Sequence, residues 1–179
     1  RSSIGAMRPQ KSSCNMPNAF AESLMEIELN RDFKDLLQSL NSKNVRYLLI
    51  GGYAVILHRH PRLTNDLDIV VARDPANIKL CVEALREFGF ETVSTESFAK
   101  PKSVVRMGVE PVKIEILTYL EGVDFDEAYE RRETRTAQDV TFDIISLADL
   151  LSNKKAVGRD KDLLDVKGLL EVHNTTCQG

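Results

Sequence analysis

"LLIGGYAVILHRHPRLTNDLDIVV", residues 48–71, is the stretch whose reading decides the fold. An apolar run ends on Gly51 and Gly52, "YAVILHRH" can wind into a helix directly from that glycine turn, and "DLDIVVA" is a second apolar run. The order is strand, glycine turn, helix, strand. Side chains alternate along a strand, so Asp66 and Asp68 share one face while Leu67 and Ile69 share the other.

Two carboxylates held that close repel. A hard divalent cation such as Mg²⁺ relieves the repulsion, prefers oxygen ligands, and leaves coordination positions open for substrate phosphates. Taken alone, the pair reads more readily as solvated carboxylates at a strand end. The glycine turn next door adds a second half, because backbone N–H groups at a helix N-terminus attract anions and glycine lets phosphate approach closely. By itself "GG" is only a tight turn. A phosphate cradle and a metal-binding carboxylate pair on neighbouring strands together describe a nucleoside triphosphate site.

Working outward, residues 22–42 repeat apolar positions at helical spacing, with a break expected near Asn30, and "VRYLLIG" is the strand leading into the glycines. "RDPANIKLCVEALREFGF" reads as a helix capped by Asp74, with Pro75 in its first turn and Gly89 past its end. "SVVRMG" and "VKIEILT" form a hairpin around residues 108–111 that extends the same sheet. "DFDEAYERRE" is a short helix and "QDVTFDII" a further strand. "SLADLLSNKKAVG" is a helix capped by Ser146, and "RDKDLLDVKGLLEV" is the last helix, fraying after His173. The expected class is α/β (α+β): a mixed sheet packed by helices, with C-terminal helices. Residues 1–21 are expected to be a disordered tail whose opening "RSSIGA" is foreign to the fold, residues 22–174 one domain, and residues 175–179 a frayed tail.

In the second strand of the hairpin, Glu115 shares a face with Lys113 and Leu117 and is an acid within an otherwise apolar run, which makes it the candidate third carboxylate. The net charge of −3 gives no global basic field for nucleic acid, although a local basic patch remains compatible with it. Of three cysteines, Cys14 and Cys177 lie in polar tails and Cys81 sits in a core pattern. His58 and His60 have no partners at zinc-ligand spacing and read as surface or loop residues. No apolar stretch approaches the roughly 20 residues that cross a bilayer, and the start lacks a signal peptide, so a cytoplasmic, reduced protein is expected.

The order "GGYAV", "PRLTNDLDI", then an acid in a later strand resembles the nucleotidyltransferases of the DNA polymerase beta superfamily. The likeness is nearest to the small bacterial single-domain group around the AbiEii-type toxin nucleotidyltransferases, whose closing helices are similar to "ISLADLLSNKKAVGRDKDLLDV". The resemblance implies a polymerase-beta-like fold, with Gly51 and Gly52 holding the triphosphate. It implies that Asp66 and Asp68 bind two Mg²⁺ ions, or Mn²⁺, with Glu115 as the third ligand and general base. It further places Lys154 and Arg159 on phosphate and gives Arg62 and Thr64 a mixed role in the loop before the aspartates. Read from charge alone, Lys154, Lys155, Arg159 and Lys161 are a solvated helix face balancing Asp160, Asp162 and Asp165. The acceptor would be an RNA end, a protein or a small molecule, and a homodimer or partner subunit would complete the cleft. Relatives usually carry aspartate where Glu115 stands, which gives a second reading: a nucleotide-binding or antitoxin-like module on the same fold.

Overall fold

Tyr47, Leu48 and Leu49 are all buried, and the short strand they form lies at the middle of the sheet. The computed structural model describes residues 29–109 and 112–176. Among these, six strands make one mixed sheet in the order β3-β4-β2-β1-β6-β5. The strands are β1 (Tyr47–Leu49), β2 (Asp66–Val71), β3 (Val104–Val109), β4 (Val112–Leu117), β5 (Glu133–Ala137) and β6 (Val140–Ile144). β2 runs parallel to β4 and β1 parallel to β6, while the other three pairings are antiparallel.

The helices are α1 (Arg31–Ser42), α2 (Gly51–Leu57), α3 (Pro75–Glu87), α4 (Phe125–Glu130), α5 (Leu147–Val157) and α6 (Asp160–Thr176). The break expected near Asn30 is the start of α1: the Asn30 side chain accepts from the Asp32 N–H, and Phe33, Leu36, Leu37 and Leu40 are buried. The preceding residues of that expected helix lie outside the described ones. Asp74 caps α3 by accepting from Asn77 N–H, and the buried Asn77 side chain also accepts from Arg46 N–H and donates to the Arg46 and Ala72 carbonyls. One asparagine thus ties the start of β1 to the end of β2. Cys81 is fully buried, and burial pushes its thiol up to about 12, so it is an inert core residue. Among the described residues no helix is long and apolar enough to cross a membrane.

The structure departs from the sequence reading in several places. β5, "ETRTA", was not expected, because it has no apolar alternation; its central residues are exposed at the sheet edge. It is held by the ladder to β6 and by Thr134 and Arg132 donating to Asp143, and the turn uses left-handed Gln138 and Asp139 as a two-residue hairpin requires. Gly108 lies within β3 at φ +85° rather than in the turn, and residues 110–111 are outside the described ones. α6 continues to Thr176 instead of fraying after His173. The expected tail at residues 1–21, and residues 177–179 of the tail expected at 175–179, lie outside the described residues. His58 is buried rather than at the surface, its Nε2–H donating to the Ile145 carbonyl at 2.8 Å.

Candidate active site

The glycine turn is built against β2. Ile50 N–H donates to the Asp68 carbonyl at 2.9 Å, closing the end of β1 onto the strand beside it. Gly51 has φ +64°, and a Cβ there would stand 1.8 Å from Asp68 Oδ2. A Cβ on Gly52 would stand 2.4 Å from Thr64 Oγ1. Both positions therefore exclude a side chain, one because of Asp68 and the other because of Thr64. The Asp68 carboxylate stands against this turn, where the backbone N–H of Gly52 helps to hold it ionised, so the turn expected to bind phosphate already faces a carboxylate of its own chain.

Parallel pairing of β2 with β4 sets Asp66 opposite Lys113 and Asp68 opposite Glu115. Cross-strand partners share a face, so the three acids predicted from sequence stand in one row. Burial first, and then the charges of Glu115 and Asp66, push the Asp68 carboxyl up to about 6. Such crowding is what a hard cation relieves, and the donor set of three carboxylates fits one. The row is not drawn together into a ligand set, however: among the described residues no three Asp, Glu, His or Cys side chains are placed to hold a metal ion. Glu115 is instead engaged by Arg106 on β3, its register partner, whose Nε donates to Glu115 Oε1 at 2.8 Å.

The cations come from the far side of the sequence. Lys154 on α5 is buried and donates to Asp162 Oδ1 at 2.9 Å and Asp165 Oδ2 at 2.8 Å. It is therefore not part of a solvated face, and its direct partners are two buried aspartates of α6. Its charge nevertheless reaches Asp68 and holds that carboxyl down against the other influences. Arg62, from the loop before β2, donates to Asp165 Oδ2 at 2.6 Å, and Arg159 to Asp162 Oδ2 at 2.6 Å. Burial pushes the Asp162 carboxyl up, but the hydrogen bonds from Arg159 and Lys154 outweigh it and hold the group below its ordinary range. Arg159 is itself stabilised as a cation by Asp162 first, and further by Asp68 and Glu115. Thr64 lies over Gly52, with only a long 3.4 Å contact to the Asp66 carbonyl.

The candidate site residues thus fall at one end of β2: Gly51, Gly52, Thr64, Asp66 and Asp68 around the turn, Glu115 beside them, and Arg62, Lys154 and Arg159 linked through the aspartates of α6. Sequence reasoning did not name Arg106, and it read Asp162 and Asp165 only as charge balance on a solvated helix face. The i, i+3 spacing of Asp162 and Asp165, on the α6 face that also carries buried Val166 and Leu169, was the available signal for the last two.

Residues 29–176 match the family described as "Nucleotidyl transferase of unknown function (DUF2204)". The chain belongs to that family. No curated protein matches it. Among solved structures it is similar to TM1012 of Thermotoga maritima, named as a candidate nucleotidyltransferase, at 17% identity and TM-score 0.55 over 79% of this chain and 91% of that one. It is also similar to the lincosamide antibiotic adenylyltransferase LnuA, solved with lincomycin bound, at 15% identity and TM-score 0.50 over 79% of this chain and 96% of that one. The fold is the mixed α/β arrangement of polymerase-beta-like nucleotidyltransferases, as the sequence motifs implied.

Proposed function

We propose that this member of the nucleotidyl transferase family is a metal-dependent enzyme that moves a nucleoside monophosphate from a nucleoside triphosphate to an acceptor hydroxyl. The observation that carries the reading is the register of Asp68 with Glu115, beside a glycine turn with no room for side chains. Asp66, Asp68 and Glu115 would hold Mg²⁺ or Mn²⁺, which when bound supplies charge at the attacking and leaving oxygens. Lys154, Arg159 and Arg62 supply the positive field for the triphosphate, with the glycine turn at its base. The acceptor oxygen attacks the α-phosphorus as the bond to the α,β-bridging oxygen breaks. Pyrophosphate leaves with that electron pair, and the hydroxyl proton passes to Glu115. An adenylyltransferase among the structural neighbours supports a nucleoside triphosphate, ATP included, as the donor. Placement in the AbiEii-type toxin group, residence in the cytoplasm, and completion of the cleft by a second copy or partner subunit belong to the same proposal.

Incubation with labelled triphosphates and Mg²⁺ tests it. Asp66→Ala and Asp68→Ala are each expected to lower nucleotide transfer at least a hundredfold, and transfer that survives both substitutions would overturn the assignment. The Glu115–Arg106 pair favours a second reading, a module that binds nucleotide without turning it over, since it keeps the third carboxylate from its neighbours. Calorimetric binding of triphosphate without pyrophosphate release would select that module.

A further inference from the structure

On the edge of the sheet next to Glu115 lies a cleft of about 520 Å³ lined by Glu96, Ser97, Lys100, Lys102, Ser103, Val104 and Arg106. Val104 and Arg106 belong to β3, in register with Leu117 and Glu115 of β4, and therefore face the same side as the carboxylate row. Arg106 is shared: it forms a wall of the cleft and also holds Glu115.

We propose that this cleft is the acceptor subsite of the nucleotidyl transfer, and that it takes an acceptor carrying a phosphate near its attacking hydroxyl. The inference rests on the function proposed above and adds the class of acceptor. Three cations against one carboxylate line the cleft, with two serines and a single aliphatic side chain. Sites for apolar small molecules have the reverse make-up, mostly hydrophobic with a few polar groups. Two of the cations share carboxylates, Lys102 with Glu121 and Arg106 with Glu115. Their side chains are 62% and 69% exposed, and ion pairs so exposed are worth only about 0–1 kcal/mol. A phosphate can therefore recruit both cations at little loss. The chain's overall negative charge makes this edge a local exception. A hydroxyl close to a phosphate held at Arg106 lies beside Glu115, where its proton is to be taken. Its oxygen then forms the new bond to the α-phosphorus, and pyrophosphate departs with the electrons of the broken bond.

The test compares the intact protein with Lys100→Ala/Lys102→Ala, neither residue belonging to the triphosphate site. Anisotropy with a 5′-labelled decaribonucleotide ending in a free 3′-hydroxyl, calorimetry with ribose 5-phosphate, and calorimetry with Mg-ATP are run on both. The expected result is at least tenfold weaker binding of one of the two acceptor probes to the variant, with ATP affinity unchanged. If the probe is the oligonucleotide, the slope of log affinity against log salt falls by about one to two. Loss confined to the oligonucleotide identifies a nucleic-acid end, and loss confined to the sugar phosphate identifies a small phosphorylated acceptor. If both probes fail to bind, or bind the variant equally well, while ATP binds, the acceptor inference is overturned and nucleotidyl transfer stands. If ATP does not bind the intact protein, the functional reading itself falls.

Discussion

Asp68 is crowded, pressed onto a glycine turn beside two other carboxyls. Its carboxyl is raised to about 6 from an ordinary 3.8, and each unit of displacement is worth about 1.4 kcal/mol. The folded chain holds this proton more tightly than the unfolded chain does. The associated stability is therefore complete below pH 4, is lost as pH rises through 6, and stays lost at neutrality. Asp68→Asn keeps the size and shape of the side chain and removes the charge. Thermal melting in chelator at pH 7.5 is expected to show the variant stabilised by roughly 1–3 kcal/mol, with the advantage gone at pH 4. A variant that melts below the parent at pH 7.5 would show that the charge is not strained. Stability withheld here is consistent with a site built to receive cations rather than to rest without them.

At the scale of elements, α5 and α6 are joined by the buried Lys154 between Asp162 and Asp165. Removing the lysine leaves two aspartates, with side chains 1% and 8% exposed, each with a single arginine, Arg159 or Arg62, in place of two cations. Lys154→Met should destabilise the protein by about 3–5 kcal/mol, measured by urea unfolding. Lys154→Met/Asp162→Asn/Asp165→Asn should recover much of that loss, because the charges and not the packing are at fault. Absence of recovery would mean that the methylene stem matters more than the ions. These contacts also mark how far the sequence could be read. The row of Asp66, Asp68 and Glu115 was legible because strand alternation fixes faces within a strand. Their register was not, since it depends on which strands become neighbours. Lys154 was legible as a cation of the closing helices but not as buried, because a lysine followed by scattered aspartates looks the same on a solvated helix. β5 left no apolar trace at all: an edge strand of Thr, Arg and Glu is specified by its partner.

For the whole molecule, the loop carrying Thr64 and leading to Asp66 is fastened to the last helix. His173 Nε2–H donates to the His58 carbonyl at 3.0 Å, the His60 ring fills the space above Gly168, and Arg62 reaches Asp165. His173→Ala is expected to raise hydrogen exchange across residues 58–65 by up to about tenfold, the loss of one hydrogen bond. Exchange unchanged by the substitution would show that the loop is stiff without the helix. The partners in this fastening are 103 and 115 residues apart along the chain. During synthesis on the ribosome, the sheet strands β1, β2 and β4 emerge long before α6, so the acids can line up while the loop beside them is still slack. A nascent chain halted before residue 165 would therefore carry the carboxylate row without its clamp. The nucleotide binding proposed for this site should then appear only after α6 has followed the sheet out of the ribosome and docked on the loop.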